Sequence, residues 1–280
     1  MLKASKALRK AASTGKALPG VAPLSALEAL GVRLRAGQVS MVTGRPKAGK
    51  SNLAQWWATI MQVPTLYYSL DMDAFTASIR QAAILTGHDQ SEISKRIEED
   101  GPESWFYEGE LAEVKIQYCF DTAPALAEMG EELDAYVELW DEYPELIVVD
   151  NLLNIEGTLE DHRAQKFALL ELQALARRTA AHVMVLHHAT ESGVKDTSWP
   201  PRLSDTDGKV NQIPELVLSV ANDPDQQVFR IAALAVRNGK SDPEARHPIS
   251  LYAAFNTMQF NNVRPTQWAA STGYAEGYDY

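Results

Sequence analysis

The sequence predicts an α/β fold: a mostly parallel, doubly wound sheet with helices on both faces and antiparallel strands at its C-terminal end. Three observations carry the prediction. Apolar and β-branched strand segments alternate with helical ones from Val39 to Leu186. A glycine-bracketed turn, Gly44 to Gly49, follows the first of these strands directly and leads into a helix. A continuous apolar run, Leu146-Ile147-Val148-Val149, ends in Asp150, as a central parallel strand covered on both faces would.

Length and charge set the limits. A chain of 280 residues holds one large α/β domain with short extensions. The net charge of −11 gives bulk nucleic-acid binding no support, although a local basic lining is compatible with it. Cys119 is the single cysteine, which excludes an intramolecular disulfide and a thiolate metal cluster and suits a reducing cytoplasm. Lys3, Lys6, Arg9, Lys10 and Lys16 precede no apolar run, so the N-terminus is not a secretory signal. No stretch approaches a membrane span.

In chain order, residues 1–24 read as a basic arm and linker, 25–262 as the domain and 263–280 as a tail. Pro19-Gly20 and Pro23 mark the linker, and Leu24 to Ala36 is a helical lead-in. Val39 to Thr43 is a strand, and the helix after the glycine-rich turn ends before Pro64. Thr65 to Leu70 is β-branched and aromatic, hence a strand. Phe75 to Thr86 is a helix closed by Gly87. Gln90 to Glu113 is polar and acidic, read as a short helix and a loop. Val114 to Phe120 is a strand, followed by a helix to about Glu142. After the Leu146 run, Asp161 to Ala180 shows helical spacing of Ala168, Leu172, Leu175 and Ala176. Val183 to Leu186 is a strand ending in His187-His188, and Ala189 to Gln212 is a polar loop. Further strands span 216–220, 228–236 and 249–253, with short antiparallel connections.

The turn carries the chemistry. Gly44-Arg45-Pro46-Lys47-Ala48-Gly49-Lys50-Ser51 is G-x-x-x-x-G-K-[ST] between a strand and a helix, the P-loop in its required context. Backbone N–H groups of such a loop, with the helix N-terminus from Ser51-Asn52, cradle phosphate. Lys50 reaches the β/γ-phosphates of a nucleotide such as ATP, and the Ser51 hydroxyl ligates Mg²⁺. Asp150, at the carboxyl end of its strand, is placed to hold Mg²⁺ through water.

The P-loop with Arg45-Pro46 resembles the A-R-P-x-x-G-K-[ST] of DnaB-type replicative helicases. Tyr68-Ser69-Leu70-Asp71-Met72 is similar to their F-S-L-E-M, Phe120-Asp121-Thr122-Ala123-Pro124 to their D-D-T-P, and Arg237-Asn238-Gly239 to their R-N-G. The shared order covers about Pro19 to Asn262 and implies a RecA-like P-loop NTPase fold. It implies ATP hydrolysis coupled to movement on single-stranded DNA, in a ring that is expected to be hexameric. Asp71 takes the place of the water-orienting glutamate, one methylene shorter, with Asp73 as the alternative. His188 corresponds to the γ-phosphate sensor, and Arg237 to an arginine finger reaching a neighbour's site. The lysine usual two residues before the finger is Ala235 here. Lys195, Arg202 and Lys209, in the 189–212 loop, are the DNA contacts that the resemblance implies, diluted by Asp196, Asp205 and Asp207. The helical domain that precedes the motor in that family has no counterpart in these residues, so primase binding is not implied.

Two other readings stand beside this one. A RecA-like recombination or annealing protein would use ATP as a switch for DNA binding. A P-loop loader or regulator would bind a replication protein and turn over ATP without regard to DNA.

Overall fold

The computed structural model describes residues 15–99, 102–159, 161–190, 196–206 and 210–262. Among them, nine strands form one sheet in the order β3-β2-β4-β5-β1-β6-β7-β8-β9. The strands are β1 (Val39–Gly44), β2 (Thr65–Ser69), β3 (Ile116–Cys119), β4 (Leu146–Asp150), β5 (His182–His188), β6 (Leu216–Asp223), β7 (Val228–Val236), β8 (Ile249–Ala254) and β9 (Gln259–Asn261). Those from β3 through β6 in spatial order are mutually parallel, and β7 to β9 complete the sheet antiparallel.

Helices cover both faces: α1 (Ser25–Ala29), α2 (Lys50–Met61), α3 (Ala74–Thr86), α4 (Gln90–Glu98), α5 (Pro102–Ala112), α6 (Leu126–Trp140) and α7 (His162–Thr179). Strand alternation divides the core between the faces. In β4, Leu146 and Val148 pack with Leu53 and Trp57 of α2 and Ile79 of α3. Ile147 and Val149 pack on the other side with Met129 and Leu133 of α6 and Leu169 and Leu172 of α7. A strand buried on both faces must be apolar at every position, which explains the unbroken run before Asp150.

The structure departs from the sequence reading in four places. Residues before 25 are already packed on the domain: Ala17 pairs with Arg35, Leu18 N–H donates to the Leu34 carbonyl (2.8 Å), and Leu18, Val21 and Leu24 are core residues. The prolines and glycine between them suggested a linker, but they only turn a segment whose apolar side chains remain buried. The lead-in helix is short. It stops at Gly31 (φ +89°), whose Cα side meets Gly239: a Cβ on Gly31 would sit 2.8 Å from the Gly239 Cα. Residues 90–112 form two helices. Asp89 caps α4 by accepting from Ser91 N–H (2.8 Å), and Pro102 opens α5, where a missing N–H costs nothing. Finally, β9 adds a strand near the end of the expected domain, where the sequence reading has none; its Phe260 packs on Trp56 and Phe229. Residues 1–14 of the basic arm and the 263–280 tail lie outside the described residues.

Candidate active site

Parallel order brings the carboxyl ends of β1, β2, β4 and β5 to one edge. Ser69 pairs with Asp150 and Gly44 with His188. A cleft of about 460 Å³ opens there, lined by Lys47, Gly49, Lys50, Ser51, Asn52, Asp71, Asp150 and His188 among others. The structure therefore gathers the P-loop, the aspartate after β2, the aspartate ending β4 and the second histidine of β5.

The loop geometry explains its glycine. Gly49 has φ +86°, and a Cβ there would press 3.0 Å from Phe229 and 3.1 Å from Phe255. The loop curls tightly enough for Ala48 N–H to bond the Arg45 carbonyl (3.1 Å). Gly44 lies buried at the end of β1, Pro46 is exposed, and Arg45 Nη1 turns away from the cleft to the Trp199 carbonyl (3.0 Å). Lys50 Nζ donates to the carbonyls of Gly44 (3.1 Å) and Arg45 (3.0 Å) and to His188 Nδ1 (3.3 Å). Burial lowers its pKa to about 8, with Asp150 and Asp71 opposing. Burial, then Lys50, also lowers the pKa of His188, which favours the neutral ring.

Asp150 is 3% exposed. Tyr67 Oη donates to its Oδ2 (3.0 Å), and the Ser51 side chain bonds to it as well. Burial raises the pKa of this carboxyl against those two hydrogen bonds. A hydroxyl and a carboxylate side by side are hard oxygen donors that suit Mg²⁺. The partners of Asp150 are mostly neutral hydroxyls, so negative charge is left facing the cleft.

The two aspartates after β2 have different jobs. Asp73 caps α3: its carboxylate accepts from Thr76 N–H (2.9 Å) and Thr76 Oγ1 (2.7 Å), and these bonds lower its pKa. Asp71 does not cap the helix. It is exposed in the cleft and close enough to Lys50, Asp150 and His188 to act on all three by charge.

Arg237 is elsewhere. Its N–H donates to the Glu215 carbonyl (3.0 Å) and its Nη1 to Glu215 Oε1 (3.3 Å). Glu215 Oε2 in turn accepts from Val39 N–H (3.0 Å), at the start of β1. The P-loop leaves the other end of β1, five residue steps away; at ~3.3 Å per step this separates Arg237 from the cleft by roughly 17 Å. Of the DNA candidates, Arg202 is exposed and pairs with Glu244 (3.5 Å); Lys195 and Lys209 lie outside the described residues.

The geometry has counterparts. A family model described as an AAA domain matches residues 13–194. The Gene 65 protein of Mycobacterium phage L5 is 33% identical over 258 residues, 89% of this chain and 94% of that protein. The chain belongs to the AAA-domain family. The Gene 65 protein of Mycobacterium phage D29 is 31% identical over 229 residues, covering 79% of the AAA-domain chain and 98% of the relative. Among solved structures, one ATPase domain superposes with a TM-score of 0.73 at 16% identity, over 93% of this chain and 97% of that one. A DnaB-like replicative helicase, solved for its interactions with primase, has the same score and identity over 93% of this chain and 66% of its own. The AAA domain thus has the RecA-like P-loop ATPase fold of DnaB-like ATPase domains. Among its described residues no helix is long and apolar enough to cross a membrane.

Residues in and beneath this AAA domain's cleft escaped the sequence reading, Arg80 and Tyr67 among them. Arg80 lines it from α3; its spacing from Asp73 and Thr76, at i, i+3 and i+7, is the helical signal that could have found it. Tyr67 lies under Asp150. No sequence signal identifies it, because the contact depends on the register between β2 and β4.

Proposed function

We propose that this chain is an ATP-hydrolysing motor of the DnaB-like helicase type, acting on single-stranded DNA in replication as a cytoplasmic oligomeric ring, a hexamer by resemblance. The observation that carries the reading is the split of the machinery between the two ends of β1. Lys50, Ser51, Asp71, Asp150 and His188 belong to one cleft, and Arg237 stands roughly 17 Å from it. An arginine so placed cannot serve its own subunit's nucleotide. It can serve a neighbour's, and phosphoryl transfer responds to such a group by roughly 10³–10⁵-fold.

In this reading the Gly44–Asn52 segment holds the phosphates of ATP through its N–H groups. Lys50 neutralises the β/γ oxygens. Asp71 accepts a proton from, and orients, the attacking water. Ser51 and Asp150 hold Mg²⁺, which when bound neutralises phosphate charge. His188 contacts both Lys50 and the strand end that feeds the 189–212 loop, so loss of the γ-phosphate is felt where Lys195, Arg202 and Lys209 would meet the DNA backbone. Contacts of that kind bind without reading sequence.

The deciding experiment is steady-state ATPase of the oligomeric size-exclusion fraction, with and without single-stranded DNA. Strong stimulation supports the motor. Turnover indifferent to DNA sinks it and favours the partner-binding regulator.

A further inference from the structure

Beneath the metal-holding carboxylate lies a layer of buried hydroxyls and amides that the P-loop chemistry does not use. Tyr67, completely buried, donates to Asp150 Oδ2 at 3.0 Å. The register Tyr67↔Val148 and Ser69↔Asp150 puts Tyr67 two residues behind Asp150 on the same face of the sheet. Its ring lies 5.1 Å from that of Tyr118. The Tyr118 hydroxyl is itself held: it donates to Gln81 Oε1 (2.6 Å) and accepts from Gln55 Nε2 (3.0 Å). Gln55 belongs to α2, the P-loop helix, and also donates to the Ala77 carbonyl of α3 (2.7 Å); Gln81 belongs to α3, the helix after Asp71. The two helices that border the cleft therefore hold the Tyr118 ring that packs against the phenol under Asp150.

An aspartate's terminal torsion is broad, so its side chain alone does not set the carboxylate plane. A buried oxygen also needs a donor. Tyr67 supplies both requirements for Oδ2 and leaves the rest of the carboxylate to Ser51 and the cleft. We infer that Tyr67 is a positioning residue that holds Asp150 in the orientation that binds the divalent cation. The inference rests on the reading of Asp150 and Ser51 as the Mg²⁺ site. Groups that hydrogen-bond a metal-holding side chain change metal affinity by roughly 10–100-fold when removed. The same range applies here.

The test uses Mn²⁺ as the probe, with free Mn²⁺ counted by electron paramagnetic resonance in the presence of the full chain and ADP. Tyr67→Phe deletes one oxygen and keeps the ring. It should weaken Mn²⁺ binding about tenfold and leave binding of a fluorescent ADP analogue in EDTA unchanged. Tyr118→Phe removes a hydroxyl from the same layer that does not touch Asp150. It should lower the melting temperature and leave Mn²⁺ affinity alone. In an Asp150→Asn background, Tyr67→Phe should cause no further loss. Unchanged Mn²⁺ affinity in Tyr67→Phe, an equal loss in Tyr118→Phe, or an additive loss in the double variant overturns the inference. The pairing of Tyr67→Phe with Asp150→Asn separates the two levels: if Asp150→Asn itself leaves Mn²⁺ binding unchanged, the metal site is misassigned and the inference falls with it. If only Tyr67→Phe is silent, the metal site stands.

Discussion

Two ends of one sheet carry buried carboxylates, and their surroundings differ. At the cleft end Asp150 is met by the hydroxyls of Tyr67 and Ser51, and its burial raises its pKa. At the other end Glu215 receives the Val39 N–H, Gln173 Nε2 (3.2 Å), Arg237 Nη1 (3.3 Å) and, at 4.0 Å, Arg177 Nη2. His182 stands nearby, at the start of β5. Its Nδ1 lies within hydrogen-bond reach of the Arg35 backbone, 2.9 Å from the carbonyl oxygen and 3.2 Å from the nitrogen, and its Nε2 is bonded with Ser40 Oγ (2.8 Å). Polar groups at this end have partners within the chain, and cations already meet the acid. Asp150 is hydrogen-bonded by hydroxyls and no guanidinium, feels Lys50 only by charge across the cleft, and lines that open cleft. Burial alone therefore does not define a carboxylate's surroundings: guanidinium partners satisfy one acid within the chain, whereas hydroxyl donors leave the other accessible to the cleft.

That contrast can be broken or sharpened by substitution. The largest expected effect is from Arg237→Ala, which should cut ATPase turnover by roughly 10³–10⁵-fold while nucleotide binding at the distant cleft persists. Mixing it with Lys50→Ala subunits should restore part of the activity. Full activity of Arg237→Ala alone would return this arginine to the structural end of the comparison. Asp71→Asn should lower turnover by roughly 10²–10⁴-fold, the usual weight of a positioned base, with little change in nucleotide affinity; an undiminished rate in steady-state assays would move the role elsewhere.

His182 tests the closed end through pH. Burial, opposed only by its backbone bond to Arg35, lowers its pKa from 6.5 to about 4. Between those values the unfolded chain binds the proton and the folded one does not. The stability it contributes is present above pH 6.5 and lost as pH falls toward 4, by up to roughly 3 kcal/mol. Urea melts across that window should show a shallower pH dependence in His182→Gln; an identical slope in the variant would remove His182 from the account. The smallest effect is expected from Asp73→Ala. Losing the cap of α3 should lower the melting temperature slightly and leave turnover intact. A large rate loss there would reverse the assignments of Asp71 and Asp73.

Much of this was legible before any coordinates. Gly44 to Ser51 is a local motif, and its strand and helix are neighbours in sequence. Asp150 was legible because burial on both faces makes its strand apolar throughout. Asp71 against Asp73 was not: either could start the helix, and only the bonds to Thr76 show which one does. Residues 17–24 were misread because prolines and a glycine there outweighed three spaced apolar residues. The second helix at Pro102 and the strand around Phe260 were missed because each is stabilised by partners distant in sequence, such as the packing of Phe260 on Trp56.

By itself, the sequence determined the strand–helix alternation, the phosphate loop and the acid that ends the fourth strand. Each depends on neighbours within a few residues or on simple burial. Tertiary structure alone decided that Tyr67 lies under Asp150, that Glu215 holds Arg237, and that Arg237 and the cleft occupy opposite ends of β1. Those relations follow from strand order and register. Register is set by the packing of the whole sheet against its two helical layers, and no local stretch of residues encodes it.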